Sequence, residues 1–138
     1  MELVVYTDGG SINNPGQAAS AYLIYKNKEI IAKGAVRLGI ATNNVAEYTA
    51  LIIALTKING LVLSYKPTKI ICYSDSSLMV NQVNGIFKMK DKNLRNLLIK
   101  IRMLEQGINL PIVYKHILRE KNQAADTLVK NCLLNSEF

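Results

Sequence analysis

The sequence is poor in the side chains that build zinc sites and disulfides. Its 138 residues include two cysteines, Cys72 and Cys132, and a single histidine, His116. The cysteines form neither a CxxC pair nor a zinc-binding pattern. Because Cys72 lies in a predicted central strand, we expect a buried free thiol there rather than a disulfide.

Long apolar runs and a leader segment are also missing. No apolar run approaches the length needed to cross a bilayer, and no charged-then-apolar leader precedes the first predicted strand. We therefore expect a cytoplasmic protein without a membrane partner. The chain is long enough to bury a core, and we expect residues 1–138 to form one domain without a linker.

Acidic residues are fewer than basic residues, and this imbalance lies mainly in the second half of the chain. The net charge is +7, and residues 61–138 hold twelve basic and six acidic residues, whereas residues 1–60 are nearly balanced. The densest basic cluster consists of Lys88, Lys90, Lys92, Arg95, Lys100 and Arg102. Such a concentration favours a polyanionic partner. A solvated helix face is the alternative explanation.

The hydrophobic pattern predicts the element order β-β-β-α-β-α-α-β-α. The predicted strands are 2–8, 18–26, 29–38, 69–74 and 110–117, and the predicted helices are 45–58, 76–83, 94–105 and 122–134. Hairpin-connected strands followed by alternating helices and strands indicate an α/β fold with a mixed sheet. Right-handed crossovers place the last two strands parallel to the first strand, on one side of it. The resulting strand order is 3-2-1-4-5, with helices on both faces.

Carboxylates occupy comparable places in this predicted fold. Asp8 and Asp75 end the first and fourth strands, and such strand ends hold ligand sites in α/β sheets. Glu47 lies on the apolar stripe of the first helix, where an acid is costly without a charged partner or a metal. Asp126 lies in the last helix. The structural alternatives are helix capping by Asp75 and a capping box between Asn44 and Glu47.

Crowded carboxylates need compensating cations, because like charges raise one another's pKa. An all-oxygen site without His or Cys ligands suits Mg²⁺ or Mn²⁺. Two such ions, roughly 4 Å apart, can clamp the attacking and leaving oxygens of a phosphodiester. Nearby basic residues would hold a nucleic-acid backbone. The residues alone therefore predict a metal-dependent phosphodiesterase and leave its substrate open.

Four short motifs resemble the type 1 ribonuclease H family across nearly the whole chain. They are TDGGS at 7–11 with NPG at 14–16, TNNVAEY at 42–48, SDS at 74–76 and REKNQAAD at 119–126. The last motif is most similar to those of compact bacterial and archaeal-type members. The resemblance implies a ribonuclease H-like fold and endonucleolytic cleavage of the RNA strand of RNA–DNA hybrids. The products would carry 5′-phosphate and 3′-hydroxyl ends, and we expect the protein to be a monomer.

The resemblance also assigns roles to individual residues. All four acids would bind two Mg²⁺ or Mn²⁺ ions, with Asp8 and Asp75 as central ligands. Glu47 would bind the ion at the leaving 3′ oxygen, and Asp126 the ion that activates water. The candidates for substrate contacts are Gly9, Gly10, Asn14, Thr42, Asn43 and Asn44, joined by the basic residues Lys88, Lys90, Lys92 and Arg95. Turn, loop and N-cap roles are the structural alternatives for the asparagines.

Two departures from the family pattern leave questions open. Many members carry a histidine in a loop before the last motif, but the segment around His116 reads as a strand, so Arg119 is the favoured candidate for assisting catalysis. A long basic insertion found in some members is absent, and residues 87–95 would partly replace it. One alternative is therefore a relaxed nuclease that also cuts RNA duplexes. A non-catalytic nucleic-acid-binding domain is another alternative, but no acid of the set is replaced.

Overall fold

Five strands and four helices make up the computed structural model, which describes residues 1–134. The last four residues of the predicted domain therefore lie outside the described part. The strands are β1 (Glu2–Ser11), β2 (Gly16–Lys26), β3 (Glu29–Ala41), β4 (Lys69–Ser74) and β5 (Ile112–His116). The helices are α1 (Asn43–Tyr65), α2 (Ser77–Val83), α3 (Lys92–Ile108) and α4 (Gln123–Leu134), with a 3₁₀ turn at Arg119–Lys121.

The sheet has the order β3-β2-β1-β4-β5, which confirms the predicted topology. The central strand β1 is antiparallel to β2 and parallel to β4. The β2–β3 hairpin turns at Asn27 and Lys28, whose φ angles of 49° and 68° are left-handed. This conformation fits a tight two-residue turn, as the sequence predicted.

The two faces of the sheet are covered unequally. On one face, α1 lays a buried stripe that includes Leu51, Leu55 and Ile58 against Leu3 and other core residues of the strands. On the other face, Val129 of α4 packs on Ala19 and Ala21 of β2 in a much smaller cluster. The main core thus lies between α1 and the sheet. Cys72 lies within it, and both cysteines are free thiols.

Strands β1 and β3 both extend beyond their predicted ends. Strand β1 does not end at Asp8, because Gly9, Gly10 and Ser11 continue to pair with β2. Residues 39–44 lie between the predicted strand 29–38 and the predicted helix 45–58, but β3 runs to Ala41 and α1 begins at Asn43, so only Thr42 separates the two elements. Thr42 caps α1 by accepting a hydrogen bond from the Val45 amide at 3.1 Å. The predicted capping by Asn43 or Asn44 is therefore wrong.

Two helices run past their predicted ends at residues 58 and 105, and each continues through a glycine. Helix α1 continues through Gly60 to Tyr65, and Leu61 and Val62 beyond the glycine contact the core. Helix α3 passes Gly107 and ends at a left-handed Asn109. In both cases later contacts or caps decide where the helix ends.

Helix α1 is long and apolar enough to cross a membrane by length and composition alone. This finding contradicts the expectation that no apolar segment approaches that length, which rested on uninterrupted runs. Glu47 and Lys57 interrupt the apolar sequence of the helix. Its inner stripe is buried against the sheet.

Candidate active site

Asp8, Glu47 and Asp75 come together at one edge of the sheet and form what we call the acid cluster. One carboxylate oxygen from each lies within 4.8 Å of the other two. The parallel register pairs Thr7 of β1 with Ser74 of β4, so the next residues, Asp8 and Asp75, lie side by side. The predicted meeting of these acids is thus what the fold produces.

Close packing between β1 and α1 brings Glu47 to this edge. A Cβ atom on Gly9 would overlap the backbone of Ala46, so a glycine is required at this approach. The Ser20 hydroxyl of β2 donates a hydrogen bond to the Ala46 carbonyl at 2.6 Å. Gly9 and Ser20 therefore seat the first turn of α1 directly on the sheet, next to Asp8.

Asp8 and Glu47 of the acid cluster are buried, Asp75 is half-buried, and little positive charge balances the three. Asp8 is 6% exposed and Glu47 is 8% exposed. Burial, followed by repulsion from Asp75 and Asp126, raises the pKa of Asp8 to about 7. Burial, followed by repulsion from Asp8 and Asp75, raises the pKa of Glu47 well above its usual range. Within residues 1–134, none of the three acids forms an ion pair.

Asp126 lines the same cleft but lies outside the acid cluster. Its carboxylate lies 3.0 Å from Lys130 Nζ and 3.7 Å from Arg119 Nη2. These two cations give Asp126 the positive partners that the other acids do not have. Sequence reasoning did not single out Lys130, although its position four residues after Asp126 on a helix is a recognisable pairing signal.

Asn122 is a second residue that sequence reasoning did not assign a role, although it lies inside the last motif. It is 2% exposed, and its side-chain amide donates to the Thr7 carbonyl at 2.8 Å and to Asp75 Oδ2 at 3.4 Å. These bonds fix the start of α4 against β1 and restrain the carboxylate of Asp75. Asn122 therefore positions two parts of the site at once.

The rim of the cleft is built from a small hydrogen-bonded network. Asn43 Oδ1 accepts from the Ser11 amide at 2.8 Å, and the Asn43 amide donates to Asn14 Oδ1 at 2.9 Å. These bonds tie the turn after β1 to the start of α1. Gly10 and Asn43 line the cleft, whereas Asn44 is exposed in the first turn of α1.

The other predicted site residues are more dispersed. Arg119 lines the cleft, while His116 is exposed at the end of β5, opposite Ser74. The basic residues Lys88 and Lys90 are exposed between α2 and α3, and Lys92 and Arg95 lie in the first turn of α3. The structure therefore brings Arg119, but not His116 or the four basic residues, into the lining of the cleft.

The acid cluster fits a divalent cation. Its ligands are all carboxylate oxygens, which are the donors that hard divalent cations prefer. Glu47 Oε1 is buried and, among residues 1–134, has no hydrogen-bond partner. A buried, unpartnered carboxylate oxygen beside two other acids is costly unless a cation is bound.

The sequence of the chain is similar to those of known proteins. A family model described as reverse transcriptase-like matches residues 6–132. The ribonuclease H of Campylobacter jejuni is 30% identical over 138 residues, covering 94% of this chain and 90% of that protein. The bifunctional protein Rv2228c of Mycobacterium tuberculosis is 31% identical over 135 residues, covering 96% of this chain. The chain spans only 36% of the length of that relative.

Solved structures give the same result. The crystal structure of LC11-RNase H1 in complex with an RNA/DNA hybrid is 33% identical in sequence and superposes with a TM-score of 0.92. The match covers 99% of each chain. Both the fold and the order of its elements are thus shared with that protein.

Proposed function

The chain belongs to the type 1 ribonuclease H family, and we propose that it is a metal-dependent endoribonuclease acting on the RNA strand of RNA–DNA hybrids. The observation that carries the proposal is the acid cluster of Asp8, Glu47 and Asp75, with its buried, unpartnered Glu47 oxygen. A relative of closely similar fold is described in complex with an RNA/DNA hybrid. The products would carry 5′-phosphate and 3′-hydroxyl ends.

Asp8, Glu47 and Asp75 would hold Mg²⁺ or Mn²⁺, and Asp126 would complete the site for a second ion at the open end of the cleft. Bound cations of this kind neutralise phosphate charge and make water a stronger nucleophile near neutral pH. Arg119, which is exposed next to Asp126, would neutralise a phosphate of the cut strand. His116 lies outside the cleft lining and is a weaker candidate for assisting the reaction.

The rim network is the proposed reader of the substrate. The backbone of Gly9 and Gly10 and the side chains of Asn14, Asn43 and Asn44 would contact the minor groove, where the 2′-hydroxyl distinguishes RNA from DNA. Thr42 and Asn43 would hold a phosphate of the DNA strand. The basic residues Lys88, Lys90, Lys92 and Arg95 would grip the backbone further away, which predicts binding that weakens steeply with salt.

The cellular setting is part of the same proposal. We propose that residues 1–138 form one ribonuclease H domain and that the protein acts as a monomer in the cytoplasm. RNA duplexes are a second proposed substrate, because the segment between α2 and α3 is short and would make few contacts that select the DNA strand.

End-labelled RNA–DNA, RNA–RNA and DNA–DNA duplexes, incubated side by side with Mg²⁺ or Mn²⁺, test the proposal. We expect cleavage of the RNA strand of the hybrid and none of the DNA duplex. Cleavage of duplex RNA at a similar rate would assign the relaxed activity. Binding of the hybrid without cleavage under either cation would overturn the enzyme proposal and indicate a binding domain.

A further inference from the structure

A second cleft lies on the sheet face that α4 covers only in part. It has a volume of about 420 Å³, and its lining includes Tyr6, Tyr25, Lys28, Lys121 and Asn122. We call it the tyrosine cleft. It differs from the catalytic cleft, whose lining contains the four acids.

The register of the sheet explains why this part of the face is open. Val129 of α4 packs on Ala19 and Ala21, which pair with Gly10 and Asp8 of β1 near the end of the strand. Tyr25 pairs with Val4, towards the opposite end of β1. The helix therefore covers the end of the sheet next to the acids and leaves the tyrosine end uncovered.

Three tyrosine rings form a row across β2, β1 and β4. Tyr6 and Tyr73 are direct neighbours across the parallel strands, and their rings stack with centroids 5.2 Å apart and planes 25° apart. Tyr25 meets Tyr6 edge to face at 5.5 Å. Each of the three residues is half-buried. Of the three, Tyr6 and Tyr25 line the cleft, and aromatic rings of this kind are surfaces on which nucleobases stack without sequence preference.

The charge of the cleft matches a nucleic-acid strand. Lys28 and Lys121 are exposed and line the cleft, and no acidic residue is among the residues that line it. Lys28 is held in the β2–β3 turn and Lys121 in the 3₁₀ turn before α4. Aromatic faces beside fixed positive charges are the usual elements of a single-strand binding surface.

Asn122 links the tyrosine cleft to the catalytic site. Its side chain lines the tyrosine cleft and donates to Asp75 Oδ2, and its own Oδ1 is buried without a partner among residues 1–134. A strand leaving the acids on the Asp75 side would therefore pass next to this cleft. Under the proposed function, the strand held at the acids would be the RNA strand that is cut.

We propose that the tyrosine cleft binds an unpaired segment of the RNA strand that continues from the cleaved duplex. The inference rests on the proposed function for its choice of RNA. Tyr6 and Tyr25, which line the cleft, would stack the bases of this segment, and Lys28 and Lys121 would contact its phosphates. Hybrids with unpaired RNA next to the duplex would then be held more tightly than blunt hybrids.

Fluorescence anisotropy on the Glu47→Gln variant, which we expect not to cut, tests the proposal. The probes are a blunt hybrid, the same hybrid with an RNA overhang of roughly six nucleotides at either end, the same with a DNA overhang, and single-stranded RNA. We expect an RNA overhang at one end to tighten binding by about tenfold and a DNA overhang to add much less. Lys28→Asn with Lys121→Gln, and separately Tyr25→Ala, should abolish this gain and leave blunt-hybrid affinity nearly unchanged.

Lys57→Gln with Lys66→Asn is the matched control, because it removes the same charge from exposed positions and also includes one left-handed lysine. It should keep the full gain from the overhang. A gain that survives the substitutions in the cleft, or no gain at all, would overturn the proposal. An equal gain from a DNA overhang would overturn the assignment to RNA. Failure to bind the blunt hybrid would instead contradict the proposed function, and single-stranded RNA would then still report on the cleft.

Discussion

The two ends of the catalytic cleft hold the same chemical group in opposite environments. At the inner end, Asp8 and Glu47 are almost fully buried beside Asp75 without an ion-pair partner in the described chain. At the outer end, Asp126 is paired with Lys130 and Arg119. The four acids of the cleft are therefore not one equivalent set.

The difference arises because the acids lie on secondary-structure elements that are packed to different extents. The inner acids come from two adjacent strands and from a helix seated on the sheet, so their positions follow from the core. Asp126 comes from α4, whose contact with the sheet is smaller, and it lies four residues from a lysine on the same helix. We therefore expect the inner acids to dominate cation binding and Asp126 to act mainly on the second ion.

Asp75→Asn should have the largest effect on activity. Loss of this charge should reduce cleavage by more than ~100-fold, since even indirect partners of metal ligands are worth ~10–100-fold. Folding should be intact or more stable, because repulsion from Asp8 and Glu47 is relieved. Cleavage of end-labelled hybrid and thermal unfolding of metal-free protein measure the two effects. Retained cleavage would show that the inner end is not the catalytic centre.

Gly9→Ala tests whether tight strand–helix packing creates the inner end. The added methyl group would overlap the Ala46 backbone, so we expect α1 to shift away from β1. Stability should fall by roughly 1–3 kcal/mol, as for other overpacked sites, together with a loss of activity. Gly10→Ala is the matched control, because its new Cβ would have only an ordinary contact 3.8 Å from Asn43 Oδ1. Denaturant unfolding should separate the two variants, and equal stabilities would contradict the packing argument.

Asp8→Asn should have a smaller effect, on the stability of the metal-free protein, and this effect should depend on pH. The pKa of Asp8 is raised to about 7 in the folded protein, so the folded state holds this proton more tightly than the unfolded state. The stabilisation of the folded state by this proton is fully present below about pH 4 and is lost as the pH rises through about 7. In metal-free protein, Asp8→Asn should therefore be more stable than the parent by ~1–3 kcal/mol at pH 8. Unfolding curves that show the same difference at pH 4 and pH 8 would refute the burial effect.

Local patterns predicted the sheet and the meeting of the inner acids. Strand ends and the apolar stripe around Glu47 depend on residues close in sequence, and the right-handed crossover rule places Asp8 beside Asp75. The hairpin turn at Asn27 and Lys28 was likewise predicted from residues close in sequence. These features needed no knowledge of long-range contacts.

Features that depend on distant partners could not be predicted. Gly9 looks like part of a turn, but it extends β1 because β2 pairs with it and because α1 approaches closely at that point. Gly60 resembles a helix end, but α1 continues because Leu61 and Val62 reach the core. The anchoring of Asn122 to Thr7 spans most of the chain. Such contacts appear only after the fold is formed.

Calorimetric titration of metal-free protein with Mn²⁺ tests the central claim most directly. The parent is compared with Asp8→Asn and with Asp126→Asn, which remove equal charge from the two ends of the cleft. We predict that Asp8→Asn weakens the tightest Mn²⁺ site by ~100-fold or more, whereas Asp126→Asn leaves that site nearly unchanged. Equal weakening in the two variants, or a larger loss in Asp126→Asn, would contradict the account.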